Sequence, residues 1–362
     1  MTEKFKNIAT IILFSIILIG FSLNSIFLPK EKYSLSERRE KATFPTESLT
    51  EKEFYNEFEA YMLDHFAFRE GFRTIKALSH YYVFGHGDNN GIIMVDDNAV
   101  KLSKTLDEEA VKYTAQHISD IQKKYLSDCR VFISLVPDKA YFVSKSNFYP
   151  GIDYKKMQEL LMENISNAEY IDIFPLLSLE DYYQTDSHWN QKYLLPVAKE
   201  IANKMGVMLT DKYTEKSLYP FYGVYYGQSA LPLKPDNIVY LQSETLSSCK
   251  VNIISATGKR ETIVYETDKF GSKDSYDLFL SGAANIVEIE NPKITSGKEL
   301  IIFRDSFGSS LAPLLVEAYD KVTLIDTRYI SMHSLKKYVQ FNNQDVLFLY
   351  NTALVNNSFV LK

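Results

Sequence analysis

The longest apolar run of the chain lies near its N-terminus, where no charged residue occurs between Asn7 and Pro29. As a helix, a run of this length can span a hydrocarbon core of about 30 Å. A cleaved secretory signal is the alternative, but the run exceeds a usual signal h-region and no clean A-x-A cleavage site follows it. We therefore predict that residues 1–29 form a cytoplasmic stub and an uncleaved transmembrane anchor.

The charges around this run predict its orientation. Lys4 and Lys6 precede it, and the positive-inside bias then places the N-terminus in the cytoplasm. Everything after Lys30 is expected outside, whether the anchor is retained or cleaved. The sequence thus predicts a single-pass protein of the cell membrane with an extracytoplasmic main domain.

Two segments of different pattern follow the predicted anchor. Residues 30–50 carry many charges without a regular apolar period, which is typical of a juxtamembrane linker, and they end in an extended Phe-Pro segment. From Glu51 to about Phe84, apolar positions recur at spacings of three and four, as in an amphipathic helix. We expect one or two helices there, with a break near Gly71.

The rest of the chain alternates predicted helices with short apolar strands, a pattern typical of a parallel sheet covered on both faces. Pro196 lies inside one of these helices, which is therefore expected to be kinked or to start late. The predicted strands are residues 130–137, 170–174, 299–303, 321–326 and 345–350, and the predicted helices are residues 105–127, 153–166, 192–206, 306–318 and 331–340.

Between about residues 211 and 298 the alternation gives way to short strands and turns. This segment predicts an antiparallel excursion and is a candidate for an inserted β-rich subdomain. The pattern as a whole predicts an α/β domain over residues 51–362, with a parallel sheet between two layers of helices.

The composition narrows the classes of function. Hydrophobic residues make up 46% of the chain and charged residues 24%, which suits a globular protein and argues against disorder. The net charge of -6 provides no basic footprint, so nucleic acid is not an expected partner. The 26 tyrosines and 23 phenylalanines suit sugar stacking, although most of these rings are expected in the core.

The two cysteines of the chain are Cys129 and Cys249. Outside the cell they could pair, or each could remain a free thiol, and the sequence leaves both options open. There is no C-x-x-C or other metal-binding spacing. No metal ion or other cofactor is therefore predicted.

Ser306 is the first candidate for chemistry, because it closely follows the predicted strand 299–303 and opens a helix. In open α/β sheets, ligands bind at the carboxyl ends of the strands. The Ser306 hydroxyl would be presented at that edge, and the first-turn N–H groups of Phe307 and Gly308 would be placed to stabilise a negative oxygen. The alternative is that Ser306 only caps the helix, as serine often does.

Asp186 and His188 are the partners that such a serine needs. A serine hydroxyl is a poor nucleophile unless a base takes its proton, and a histidine base works best when a carboxylate holds its other nitrogen. In an extended segment, residues i and i+2 point to the same side, so Asp186 can lie against Nδ1 of His188 while Nε2 faces outward. The neighbouring Trp189 is a candidate to wall the pocket or to stack on a sugar.

Two other interpretations of this pair stay open. Asp186 could cap the following helix, which would leave His188 an ordinary surface histidine. Asp186, His188 and Asp305 could instead hold a metal ion, although a third strong ligand with recognisable spacing is missing.

Several sequence blocks resemble the bacterial DHHW proteins. "TDSHW" (residues 185–189) resembles their Asp-His-His-Trp signature, and "FRDSFGSSLAPLL" (residues 303–315) resembles their second signature, a Lys-Asp-Ser-aromatic run after a strand. Three further blocks resemble recurring parts of the same family: "SERREKATFP" (Ser36–Pro45), "LDHFAFRE" (Leu63–Glu70) and "VPDKAYF" (Val136–Phe142). The resemblance extends in order from the predicted linker to about Leu315.

DHHW proteins are in turn similar to the SGNH-hydrolase-like alginate O-acetylation proteins, in which an Asp-x-His pair and a later serine form the triad that moves acetyl groups onto exported polysaccharide. The resemblance thus implies an SGNH-like three-layer fold and no cofactor. It implies that Asp186 orients the histidine, that His188 is the general base and that Ser306 is the nucleophile. It also implies a multispanning membrane acyltransferase as the supplier of acetyl groups.

The sequence departs from the signatures at two positions, and three further residues are candidates for binding substrate. Ser187 replaces the first histidine of the DHHW signature, but it should point away from the pair. Arg304 stands where an SGNH motif has glycine and could bind an anionic substrate or the oxyanion, or pair with Asp305. The other candidates for substrate binding are Tyr222, Tyr225 and Asn351, the last of which follows a predicted strand at the same edge.

Two classes of function follow from these residues. The preferred one is an extracytoplasmic O-acyltransferase or esterase that acts on acetyl groups of a cell-surface or exported polysaccharide. The other is a non-catalytic glycan-binding or assembly protein that retains the fold. Reaction with a serine-directed reagent distinguishes the two classes, because it requires an activated serine.

Overall fold

The structure of the protein is a computed structural model that describes residues 3–27, 31–46, 48–147, 149–210 and 212–362. Four boundaries predicted from the sequence lie outside the described residues: the two ends of the anchor, Met1 and Pro29, the first residue of the linker, Lys30, and the first residue of the β-rich segment, Asp211.

The chain divides into two compact units. The first comprises Met1–Asn90 with Tyr226–Leu233, and the second comprises Gly91–Tyr225 with Lys234–Lys362. Residues 51–90 lie in the first unit together with the described residues of the predicted linker.

The first unit begins with a long apolar helix. This helix is α1 (Glu3–Phe27). It is long and apolar enough to cross a membrane, and it is the one such helix among the described residues. The unit also contains a two-stranded antiparallel sheet, two further helices and a π-helical turn: β1 (Tyr33–Ser34), β2 (Arg39–Glu40), α2 (Lys52–Asp64), α3 (Arg69–Leu78) and Ser79–Val83.

The break between α2 and α3 spans residues 65–68, just before the predicted one near Gly71. Phe68 adopts a left-handed backbone conformation, with φ of 58°, directly before α3 begins at Arg69. Gly71 lies inside α3, so the glycine near which the break was expected does not interrupt the helix. Ala67 and the aromatic residues around it form the turn instead.

Charged contacts join α2 to the predicted linker. The guanidinium of Arg39 donates to both carboxylate oxygens of Asp64, at 2.7 and 2.5 Å, and the Ala42 N–H donates to the same carboxylate at 2.8 Å. These hydrogen bonds, that of Arg39 above all, lower the pKa of Asp64 to about 2. Phe44 also packs against the rings of Phe58 and Tyr61. Residues 36–45 are thus tied to α2 rather than extended as a free linker.

The second unit is built around an eight-stranded sheet with the strand order β10-β9-β11-β13-β12-β14-β5-β6. The strands from β13 to β6 pair in parallel, and β11, β9 and β10 continue the sheet in antiparallel fashion. The bounds are β5 (Arg130–Val136), β6 (Glu169–Tyr170), β9 (Lys250–Ser255), β10 (Gly258–Thr262), β11 (Ile286–Glu290), β12 (Glu299–Arg304), β13 (Lys321–Ile325) and β14 (Asp345–Asn351).

Helices cover both faces of this sheet, as the alternation predicted. Successive side chains of a strand point to opposite faces, and along β12 Leu300 and Ile302 join one apolar cluster while Ile301 and Phe303 join the other. The first cluster includes α7 and α10, and the second includes α4 and α6. The three-layer α/β class is therefore confirmed. The helices of this unit are α4 (Glu108–Tyr125), α5 (Lys139–Asn147), α6 (Tyr154–Glu163), α7 (Leu195–Lys204), α9 (Glu244–Ser248), α10 (Phe307–Leu315) and α11 (Thr352–Val355), and the boundary between the two units falls within α8 (Val224–Ser229).

The segment from 211 to 298 is not one inserted subdomain. Its strands β9, β10 and β11 extend the central sheet, because β11 pairs with β13 along its whole length. Only β7 (Thr214–Phe221) and β8 (Asp236–Gln242) form a separate antiparallel pair, as do the earlier strands β3 (Ile92–Val95) and β4 (Asn98–Lys101). The antiparallel character of the segment was predicted correctly, and three of its strands belong to the central sheet.

Four local features can also be compared with the sequence. Helix α7 begins at Leu195 with Pro196 in its first turn, so the helix starts late and is not kinked. Residues 332–337 form a 3-10 helix in place of the predicted α-helix, and strand β6 covers only the start of the predicted strand 170–174. Cys129 and Cys249 are both free thiols.

His117 of α4 generates a prediction for the stability of this fold. It is buried, its Nε2 lies 3.2 Å from Oγ1 of Thr327, and burial lowers its pKa to about 4. Between about pH 6.5 and about pH 4, His117 is therefore protonated in the unfolded chain but neutral in the folded chain. Acidification through this range destabilises the fold, because the unfolded state binds the extra proton.

Between about pH 7 and about pH 5, wild type should lose roughly 2 kcal/mol more of its free energy of unfolding than the His117→Gln variant. Denaturant titrations of both proteins at the two pH values measure this difference. Equal losses in the two proteins would contradict the account.

Candidate active site

The carboxyl ends of three neighbouring parallel strands converge at one edge of the sheet. Strand β12 ends at Arg304, β14 at Asn351 and β5 at Val136, in adjacent positions. Ser306 follows β12 at the N-terminus of α10, whose nine residues are all buried. The apolar helix and strand therefore fix the backbone at Ser306 from both sides.

The structure brings together the three residues predicted from the sequence. Nε2 of His188 lies 2.7 Å from Oγ of Ser306, and Nδ1 lies 2.6 Å from Oδ1 of Asp186. An ionised carboxylate can only accept, so Nδ1 carries a proton and donates it to Asp186. Nε2 is then the acceptor for the hydroxyl proton of Ser306, as a general base requires.

The Asp186 carboxylate is fully buried and receives several hydrogen bonds. Its Oδ1 also accepts from the backbone N–H of His188 at 3.0 Å, and its Oδ2 accepts from the N–H of Val224 at 2.7 Å. Burial of a charge is costly unless it is paired and hydrogen-bonded, and these donors meet that requirement. They also leave the carboxylate one orientation toward the imidazole.

Two charged side chains hold the backbone before His188. The ammonium of Lys139 donates to the carbonyl oxygens of Tyr183 at 2.8 Å, Gln184 at 3.2 Å and Asp186 at 3.3 Å. The carboxylate of Asp236 accepts from the N–H groups of Gln184 and Thr185, at 2.7 and 2.8 Å. Together these two side chains bind the carbonyl and amide groups of one short loop, so the loop is rigid where it presents Asp186.

The environment shifts the pKa of both side chains. Burial lowers the pKa of Lys139 to about 7, and the nearby carboxylates of Asp236 and Asp186 oppose that shift. Burial also raises the pKa of Asp236, while its hydrogen bonds from Thr185 and Gln184 act in the opposite direction. Sequence reasoning did not assign Lys139 a role, although the block "VPDKAYF" placed it directly after a buried strand.

Aromatic rings enclose the imidazole. The ring of Tyr276 stacks on His188 with centroids 3.8 Å apart and an interplanar angle of 10°, and Phe307 lies at 4.9 Å. The Tyr276 hydroxyl donates to Oγ of Ser310 at 2.7 Å, and burial raises its pKa, which keeps it protonated as a donor. Nothing in the sequence distinguished Tyr276 from the other tyrosines of the chain.

Trp189 does not wall an open pocket or offer a surface for a sugar. It has no exposed area, and its Nε1–H donates to the carbonyl of Phe307 at 3.2 Å and to Oγ of Ser310 at 2.9 Å. The prediction of substrate contact is wrong, because the indole joins the histidine loop to helix α10. Its effect is to fix the distance between His188 and Ser306.

Arg304 is likewise buried, with 1% of its area exposed. Its guanidinium donates to the carbonyls of Asp305 and Gly282 and lies 3.7 Å from the carboxylate of Asp326. Arg328 binds the same carboxylate at 2.6 Å. Arg304 therefore cannot meet a substrate from this position, and its predicted contact with substrate or oxyanion is corrected to a structural ion pair.

The predicted oxyanion donors are engaged with Asp305. The N–H of Phe307 donates to Oδ1 of Asp305 at 3.0 Å, and the N–H of Gly308 donates to its carbonyl at 3.2 Å. Asn351 reaches the same edge, as predicted, but its N–H donates to Oδ2 of Asp305 at 2.6 Å and its side chain donates to the carbonyl of Val136. Asp305 thus joins the ends of β12 and β14, and these groups are not directed at a substrate.

The two predicted tyrosines differ in their positions. Tyr222 is 46% exposed, so its ring is accessible. Tyr225 is half-buried, its N–H donates to the carbonyl of Thr185, and the ammonium of Lys139 lies 5.7 Å from its ring centroid. Tyr225 is therefore placed beside the loop that carries Asp186.

The metal interpretation gains no support from the described residues, which contain no group of three metal-ligating side chains. The carboxylate of Asp305 accepts backbone hydrogen bonds from Phe307 and Asn351, as described above.

Comparison with known proteins confirms the resemblance to the DHHW family. The model of that family, described as DHHW protein, matches residues 157–325, which include Asp186, His188 and Ser306. No match is found among the curated proteins.

Solved structures share the fold at low identity. A DHHW family protein from Eubacterium siraeum is 19% identical, with a TM-score of 0.58 over 76% of this chain and 97% of its own. Bacillus cereus PatB1 with a sulfonyl adduct is 16% identical, with a TM-score of 0.58 over 73% of this chain and 95% of its own. The O-acetyltransferase domain of Pseudomonas putida AlgJ is 11% identical, with a TM-score of 0.44 over 74% and 92%. The first two likenesses show that this chain shares its fold with a DHHW family protein and with PatB1, as the resemblance implied.

Gly223 provides a test of how tightly Asp186 is held. A Cβ added there would lie 2.3 Å from Cβ of Asp186 and 2.4 Å from the carbonyl oxygen of Thr185, which is closer than atoms can pack. We expect Gly223→Ala to destabilise the second unit by about 1–3 kcal/mol, because neither neighbour can move without losing hydrogen bonds.

The fluorescence of Trp189, the single tryptophan, reports the unfolding of this unit. Gly71→Ala is the matched control, because a methyl group there meets nothing within 4 Å. An unchanged midpoint for Gly223→Ala would show that Asp186 is not confined as described.

Proposed function

We propose that the protein is an extracytoplasmic O-acyltransferase or esterase that acts on acetyl groups of a cell-surface or exported polysaccharide. The observation that carries this proposal is the hydrogen-bonded series from Ser306 through His188 to the buried carboxylate of Asp186. This is the arrangement that activates a serine for acyl transfer.

In the first half of the reaction, Ser306 attacks the carbonyl carbon of an acetyl ester. The hydroxyl proton passes to Nε2 of His188 while the Oγ–C bond forms, and Asp186 stabilises the resulting imidazolium. The tetrahedral intermediate collapses when His188 returns this proton to the departing alcohol. The products are the free alcohol and an acetyl ester on Ser306.

In the second half, a sugar hydroxyl or water replaces the donor alcohol. His188 takes the proton of this acceptor through Nε2, and the acceptor oxygen attacks the acetyl carbon on Ser306. Collapse of the second tetrahedral intermediate returns the proton to Oγ of Ser306. The sequence of steps is balanced and calls for no cofactor.

Stabilisation of the oxyanion must differ from the sequence-based expectation. Because the amides of Phe307 and Gly308 donate to Asp305, we assign the first donor to the backbone N–H of Ser306 itself. This group lies at the N-terminus of α10, where the helix dipole favours a negative oxygen.

Three further observations support the proposal. The DHHW resemblance implies acetyl transfer onto exported polysaccharide, and α1 is long and apolar enough to anchor the protein in a membrane. Bacillus cereus PatB1, which shares the fold, has been obtained with a sulfonyl adduct, and we expect Ser306 to react with the same class of reagent. A multispanning acyltransferase in the same membrane would supply the acetyl group.

Ser306→Ala should lower the hydrolysis of p-nitrophenyl acetate by at least about 1000-fold, because the nucleophile is lost. It should also abolish labelling by a sulfonyl fluoride, and His188→Ala should slow that labelling strongly. Ser309→Ala is the matched control, since this buried hydroxyl of the same helix has no hydrogen-bond partner among the described residues. Thermal unfolding checks that each variant is folded.

Full activity in Ser306→Ala would refute the assignment of the nucleophile. Wild-type protein that is folded but neither labelled nor active would instead favour the non-catalytic glycan-binding class.

A further inference from the structure

Helix α3 has its apolar face turned outward. The exposed fractions are 65% for Phe68, 45% for Phe72 and 60% for Ile75. On its other side, Ala77 is buried and Arg73 donates to the Ser36 hydroxyl at 3.0 Å and to the Gly227 carbonyl at 2.7 Å. A surface helix of a soluble protein normally shows the opposite arrangement, with the apolar stripe against the core.

The apolar surface continues on both sides of α3. We call its members the outward face: Leu63, Phe66, Phe68, Phe72, Ile75, Tyr82, Val83 and Phe84, which are between 41% and 76% exposed. A run of large apolar side chains exposed in this way marks an interaction site rather than ordinary surface. Arg69 and Arg73 of α3 cannot turn outward instead, because they pair with Glu37 of the predicted linker at 2.9 and 3.8 Å.

The outward face is continuous with the apolar helix α1. Phe21 of α1 stacks on Phe66 with centroids 5.6 Å apart and an interplanar angle of 3°, and it lies 6.2 and 5.7 Å from the rings of Phe68 and Phe72. The hydroxyl of Ser25 accepts a hydrogen bond from the backbone N–H of Ala67 at 3.1 Å. The turn between α2 and α3 is thus attached to the last turns of α1.

These contacts determine the depth of the outward face if α1 crosses a membrane. Phe21 precedes the end of α1 at Phe27 by six residues, which corresponds to about 9 Å along the helix axis. Helices that lie in a membrane interface bury their apolar faces by roughly 5–10 Å. Rings that pack on Phe21 are therefore at the boundary between acyl chains and headgroups.

We propose that the outward face is inserted into the interfacial layer of the membrane that α1 crosses, so that its partner is the lipid acyl chains. The inference rests on the membrane anchoring in the proposed function and goes beyond it, since the protein then contacts the bilayer through a second, non-spanning element. Arg73 and Glu70, which pair at 2.8 Å, remain on the side of the protein.

The experiment measures contact with lipid at single positions of the full-length protein. Phe68→Trp protein is reconstituted in phosphatidylcholine vesicles with and without acyl-chain bromination, which quenches tryptophan only on contact. Phe359→Trp is the matched control, because Phe359 is also an exposed phenylalanine, at 58%, and belongs to the second unit. Trp189 is fully buried and contributes the same background in every variant.

We expect brominated lipid to remove most of the added emission of Phe68→Trp and to leave that of Phe359→Trp unchanged.

A third variant, Phe14→Trp in α1, reports the anchor itself. If Phe14→Trp is quenched and Phe68→Trp is not, the anchor stands and the proposal is refuted. If Phe68→Trp escapes quenching and its emission changes with the protein-to-lipid ratio, a second copy of the chain covers the face, which also refutes the proposal. If neither is quenched, the anchor fails and the proposal fails with it.

Discussion

The confined carboxylate of Asp186 is the constraint on which the rest of the site depends. It has no exposed area, and its donors from His188 and Val224 leave it one orientation. A carboxylate held in this way determines which imidazole nitrogen carries the proton, and hence that Nε2 is free to accept from Ser306. The serine alone would be a helix-terminal hydroxyl of low reactivity.

The fold maintains this geometry with groups that do not react. Lys139 binds the carbonyls of the loop and Asp236 binds its amides, while Trp189 joins the loop to the helix of Ser306. Each of these side chains is largely removed from water, where its hydrogen bonds are strong and their loss is costly. Preorganisation of this kind suits acyl transfer, in which the charge develops within a fixed frame.

Sequence reasoning brought out the three central residues from two rules, of which one held. Ser306 lies at the carboxyl edge of the sheet because it follows a parallel strand, as expected. Asp186 and His188 do meet, but in a bend where the His188 N–H donates to Oδ1 of Asp186, not in the extended segment that the i, i+2 rule assumed. The rules failed for Trp189 and Arg304, since a residue type does not reveal whether a side chain points to solvent or to the core. Tyr276 was missed because its contact with His188 depends on a long loop whose path no local pattern predicts.

The central claim is that Ser306 becomes a nucleophile because His188 accepts its proton. The most direct measurement is to mix the protein with an activated acetyl ester, quench the reaction in acid and locate the added acetyl group by peptide mass spectrometry. The account predicts acetylation of Ser306 in wild type and its loss in a folded His188→Ala variant. Acetylation that leaves Ser306 unmodified, or that proceeds equally without His188, would contradict it.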